Sequence, residues 1–88
     1  MRIWGKLFLD NRLQKDTVIS LSGAESRTEK VFTALHEMCM QFDLSIPLWL
    51  DKNIDEFRRH AKTRFTADNF MDSFEYDYLE FHVIEEEP

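Results

Sequence analysis

The middle of the chain carries one amphipathic stripe with a stop on either side, and this confines everything around it. Val31, Leu35, Met38 and Phe42 recur at i, i+4, i+7 and i+11, and Phe32 and Cys39 widen the same apolar face. Upstream, "SGAESRTEK" holds two overlapping capping boxes, Ser22 with Glu25 and Ser26 with Glu29, whose side chains can satisfy the orphan amides of a helix start. Downstream, Pro47 has no amide donor and pushes Ile46 toward extended geometry, so the helix ends before it. One helix cannot bury its own stripe, and the flanking segments must supply the surface that does.

Those flanks read as strands. "RIWGKLFL" and "TVISL" are rich in β-branched and aromatic residues and are separated by the polar "DNRLQKD", the pattern of a β-hairpin. Alternation puts Ile3, Gly5, Leu7 and Leu9 on one face of the first strand and Trp4 and Phe8 on the other, while Thr17, Ile19 and Leu21 share a face of the second. A hairpin apolar on both faces needs a layer on each side, or a second molecule. At the other end, "FEYDYLEFHVIE" alternates as a strand, but its apolar set moves from even to odd positions near Tyr78, which calls for a bulge or for a loop before a shorter strand.

Between them, "DLSIPLWLDKN" is an apolar connector in which Ile46, Leu48, Trp49 and Leu50 are expected to plug one end of the core. Asp51 or Asn53 can cap a second helix, and Leu50, Ile54, Phe57, Ala61 and Phe65 continue with helical spacing. "TADNFMDS" reads as a loop. The expected architecture is α+β: an N-terminal hairpin, two helices and a C-terminal strand, with about three antiparallel strands packed on the helices. Residues 1–88 form a single small domain with a frayed end at 85–88.

A domain of this size hides only about 60 to 65% of the surface its unfolded chain exposes. Eight Phe, two Trp and two Tyr compensate with bulk. A lone cysteine, Cys39, is the usage of a reducing compartment, so a cytoplasmic location is expected. No stretch approaches the roughly 20 apolar residues of a membrane span, and the net charge of -6 opposes global attraction to nucleic acid or anionic lipid. The acids concentrate late, with eight between Ala67 and Pro88 and no Lys or Arg among them.

The sequence excludes more chemistry than it suggests. Gly5 and Gly23 are isolated, so no phosphate-cradling loop exists. One Cys and three scattered His cannot make a paired zinc site. His36, Cys39 and Met40 in "HEMCM" have the softness for copper(I), but a helix-interior thiol on an apolar face is ordinarily protonated and inert. His60 and His82 sit among charges with no pocket to mark a general base, and "ADNFMD" lacks the central glycine of a calcium loop. No catalytic residue, cofactor or metal is expected.

What remains is surface. Trp4, Phe8, Tyr76 and Tyr78 suit a contact centre if part of the sheet stays uncovered, and Arg58, Arg59, Lys62 and Arg64 form a basic run that can face the acidic final strand in the same or a neighbouring molecule. The reading is a non-enzymatic module for protein–protein contact or self-association. One alternative is an acidic mimic of nucleic acid that uses Asp72, Glu75, Asp77, Glu80 and Glu85 to Glu87 against a nucleic-acid-binding protein. Another is a small enzyme or metal carrier using His36, Cys39 or His60. Direct nucleic-acid binding and a membrane partner are not expected.

Overall fold

A computed structural model of the protein describes residues 1–86. The elements are β1 (Arg2–Leu9), β2 (Arg12–Ser20), α1 (Arg27–Gln41), α2 (Asp51–His60), β3 (Lys62–Phe65), a 3₁₀ turn (Ala67–Asn69) and β4 (Tyr78–Glu85). The strands form one antiparallel sheet in the order β2-β1-β4-β3, so the fold is α+β. The sheet has four strands rather than about three, because "KTRF", whose Phe65 continues the helical spacing, pairs with β4 instead.

The hairpin forms because Asp10 and Asn11 accept left-handed backbone, with φ of 52° and 63°. Such primed turns match the twist of the flanking strands. Pairing runs Leu7 to Lys15 and then Phe8 to Leu13, which leaves Gln14 as an extra residue in β2. Ile3, Gly5 and Leu7 of β1, Leu79, Phe81 and Val83 of β4, and Thr63 and Phe65 of β3 are all buried on one face.

Both helices cover that face. α1 begins at the second of the two capping boxes: Ser26 Oγ accepts from the Glu29 amide at 3.1 Å, and the Glu29 carboxylate accepts from the Ser26 amide at 3.5 Å. Val31, Leu35, Met38, Cys39 and Phe42 point inward, while Phe32 is 54% exposed and lies off the stripe at the edge of its arc. Met38 lies directly on the Gly5 backbone, where a side chain would displace it.

α2 stops at His60 because Ala61 turns left-handed at φ 53°, and the chain reverses into β3. Its first turn is held by Asn53, whose Oδ1 accepts from the Leu50 amide at 3.1 Å. Of the apolar connector, Leu44, Pro47 and Trp49 turn inward; Ile46, Leu48 and Leu50 stay exposed. The Trp49 ring meets Phe65 edge-on at 5.0 Å, Phe57 at 5.4 Å and Phe81 at 6.1 Å.

Two fully buried amides pin this half of the molecule. Asn53 Nδ2 donates to Thr63 Oγ1 at 2.9 Å and to the Arg64 carbonyl at 3.0 Å. Asn69 Nδ2 donates to Asn53 Oδ1 at 2.7 Å and to the Leu48 carbonyl at 2.8 Å, while Asn69 Oδ1 accepts from the Thr66 amide at 2.9 Å. Every polar atom of both side chains is engaged, which is the condition under which buried amides rigidify rather than weaken a core.

The final strand begins at Tyr78, so Phe74 and Tyr76 precede it and the switch in apolar parity needs no bulge there. Glu85 belongs to β4, and the Glu86 carboxylate is held by Arg27, so neither is a frayed end; 87 and 88 lie outside the described residues. Among the described residues, no helix is long and apolar enough to cross a membrane.

Candidate interaction surface

The even-numbered residues of β1 fall on the face that carries no helix, and strand pairing extends them into rows across the sheet. One row reads Val18, Trp4, His82, Lys62. The next reads Asp16, Lys6, Glu80, Arg64. A third brings Leu13, Phe8 and Tyr78 together across the extra residue of β2. Of the expected contact residues, Trp4, Phe8, Tyr78, Lys62 and Arg64 share this face.

The rings are held in place by one another and by cations. Phe8 stacks on Tyr78 at 5.0 Å, and the Arg64 guanidinium lies 4.4 Å from the other ring's centre, that of Tyr78. Lys6 Nζ sits 3.9 Å over the Trp4 ring, whose Nε1 donates to Asp16 Oδ2 at 3.0 Å. Cations over aromatic faces are favourable, more so as water is removed. The surface is therefore an ordered mosaic before anything touches it.

Glu80 is the electrostatic centre. Lys6 Nζ stands 2.8 Å from Glu80 Oε2, and Arg64 Nε donates to Glu80 Oε1 at 3.4 Å. Burial pushes this carboxyl upward, but the hydrogen bonds and charges of Lys6 and Arg64 outweigh it and hold Glu80 below the usual carboxylate range. The pKa of His82 is lowered as well, from the ordinary 6.5, by burial and then by the charges of Lys62 and Lys6, which here disfavour the charged form. The basic run thus faces the acidic strand within one molecule, at least through Arg64.

The other expected residues lie elsewhere. Tyr76 packs toward the core beside Phe74, at 5.7 Å, because strand alternation does not reach it. Arg58 and Arg59 stay on α2, split from Lys62 and Arg64 by the reversal at Ala61; Arg59 pairs with Asp55 at 3.3 Å. The acids also scatter: the Asp77 carboxylate accepts from the Asp10 amide at 2.8 Å and caps the hairpin turn. Of the acids named for mimicry, Glu75 and Asp77 are not on a strand and Glu80 is sequestered, while Glu87 lies outside the described residues.

His36 and Met40 point outward while Cys39 points inward, so the three do not converge. Burial raises the Cys39 thiol to about 11. Among the described residues, no three His, Cys, Asp or Glu side chains are placed to hold a metal ion. Lys6, Leu13, Asp16, Val18 and His82 also lie on the open face and were not among the expected contact residues, and Glu80 was named only for mimicry; for Lys6, Asp16 and Val18 the parity of the first hairpin is a sufficient signal. The chain matches no protein-family model, no curated protein and no solved structure.

Proposed function

We propose that the protein is a non-enzymatic interaction module that associates with a second copy of itself through the open face of its sheet. The observation that carries this reading is the charge row Asp16, Lys6, Glu80, Arg64, which alternates in sign across the four strands and sums to zero. Such a row is antisymmetric about the line between β1 and β4. A twofold axis along that line, parallel to the strands, sets Asp16 opposite Arg64 of the second copy, while Lys6 and Glu80 remain paired within each copy beneath that contact. The same operation sets Trp4 opposite His82 and Phe8 opposite Tyr78. The ordered rings lower the entropy cost of contact.

Size sets the strength. Four strands at about 4.8 Å spacing and about six residues at 3.3 Å give roughly 400 Å² per copy, half of a standard interface. Association should be micromolar or weaker, with a reducing cytoplasm as the compartment we propose, since Cys39 is buried and unpaired.

Sedimentation from about 5 μM to about 1 mM tests this. The weight-average mass should climb from the 10.6 kDa of one chain toward twice that value. Asp16→Arg and Arg64→Glu should each abolish the climb, and the double variant should recover it, because only a contact between copies joins those two positions. A strict monomer throughout the range, or a folded double variant that stays monomeric, overturns the reading. Retention of a single-stranded RNA oligonucleotide that is lost in Trp4→Ala would replace it with a base-stacking platform.

A further inference from the structure

A second site lies on the opposite side of the molecule, in the groove between the two helices. Val31 and Phe32 of α1 and Ile54 of α2 flank it, with Trp49 among its lining residues, and it encloses about 240 Å³. Phe32 and Ile54 remain 54% and 44% exposed, a sizeable apolar area for so small a chain to leave in water. Phe32 meets Trp49 edge-on at 6.3 Å, and the buried Trp49 Nε1 has no acceptor.

The lining also carries two arginines, and they differ. Arg27 Nε and Nη2 each donate at 3.0 Å to a different oxygen of the Glu86 carboxylate, a fork-to-fork arrangement, and the guanidinium lies 5.4 Å from the centre of the Phe57 ring. Arg58, from α2, makes no ion pair among the described residues. The groove thus combines an apolar floor, one arginine that holds the chain's own Glu86 side chain, and one that makes no ion pair among the described residues.

We propose that this groove binds an acidic segment of a protein partner, a bulky apolar side chain flanked by carboxylates. The volume suits one or two side chains and is smaller than the roughly 300 to 1,000 Å³ of sites that engulf a small molecule. Charge complementarity selects acid over base, and Glu86 shows the geometry that a partner's glutamate takes on Arg27. Trp and Arg are the residue types that most often anchor such contacts. The chain's own Glu86 is then a competitor that a partner must displace. None of this depends on the open sheet face, which lies on the far side of the sheet.

The test follows the Trp49 indole N–H by NMR in the full chain during titration with the capped peptide Ser-Glu-Phe-Leu-Glu-Ser. The Trp49 signal should shift while that of Trp4 does not. Replacing both Glu by Lys, or Phe and Leu by Ala, should weaken binding about tenfold or more. Arg58→Glu should do the same with the remaining spectrum unchanged, and Glu86→Gln should tighten binding severalfold by freeing Arg27. The proposal fails if Trp49 does not respond at millimolar peptide, if the lysine peptide binds as well, or if Arg58→Glu has no effect. It also fails if octanoate fills the groove more tightly than the peptide, which would make the site one for lipid-like carboxylates.

Discussion

The thioether of Met38 occupies the space that a Cβ on Gly5 would need, so this side chain of α1 lies directly on the backbone of β1. Gly5→Ala should therefore cost about 1 to 3 kcal/mol by overpacking, and Met38→Ala about 2 to 5 kcal/mol by leaving a cavity. In the double variant the new methyl enters the space vacated by the sulfur, so the combined loss should fall short of the sum by more than about 0.5 kcal/mol. Urea unfolding of the four proteins measures this; strict additivity would mean the two residues do not compete for the same volume.

Asn69 lies at the crossing of the connector, α2 and the 3₁₀ turn, and its side chain makes three hydrogen bonds away from water. Asn69→Ala leaves the Leu48 carbonyl, the Thr66 amide and one lone pair of Asn53 unmatched. A loss of about 3 kcal/mol is expected, or roughly 15 °C in Tm for a domain of this size. Calorimetry is the check, and a loss below about 1 kcal/mol would show that water replaces the amide at little cost.

Stability should fall in two steps on acidification. His82 binds its proton less readily folded than unfolded, so the unfolded chain takes up the proton first and stability declines as pH drops below about 6.5. Glu80 has a depressed pKa in the fold, so its contribution is present above about 4.5 and is lost as pH falls through the folded value. His82→Gln should remove the first step. Glu80→Gln should remove the second and also lower stability at neutral pH, where Lys6 and Arg64 lose their counter-charge. Denaturant midpoints across pH 3 to 8 separate the two; an unchanged upper step in His82→Gln would reassign it.

Cys39 reports on opening of the core. With its thiol raised to about 11 by burial, labelling by iodoacetamide at pH 8 should be roughly a hundredfold or more slower than in the denatured chain. The folded thiol holds its proton longer, so stability should decline as pH rises above 9, and Cys39→Ala should flatten that alkaline limb. Rapid labelling of the folded protein would mean that α1 detaches readily.

How far the fold was legible in the sequence depended on how local its causes were. The stripe of α1 and the Ser26–Glu29 box lie within a few residues of each other, and both appear where the spacing puts them. β3 was illegible because Phe65 continues the spacing of α2, and the residue that breaks the helix is Ala61, which carries no glycine-like signal for a left-handed turn. The open face was half legible. Alternation alone separates Trp4 and Phe8 from Ile3 and Leu7, whereas the row joining Lys6 to Glu80 and Arg64 depends on pairings made from opposite ends of the chain. Asn53 reads as an N-cap, but α2 starts at Asp51 and Asn53 is its third residue, reaching back to the Leu50 amide; nothing near Asn69 in sequence announces that the two asparagine side chains meet.

The extra residue in β2 has a consequence for growth of the sheet itself. β2 is an edge, and the outward amides and carbonyls of its alternate residues could template strand after strand into a fibre. Gln14 shifts the phase of that edge partway along, so an incoming strand in register with one part falls out of register with the other. Deleting Gln14 would straighten the edge and turn it into a seed. An irregularity of one residue's backbone thus joins the charges of Arg12, Lys15 and Asp16 in making this edge a poor template for a further strand.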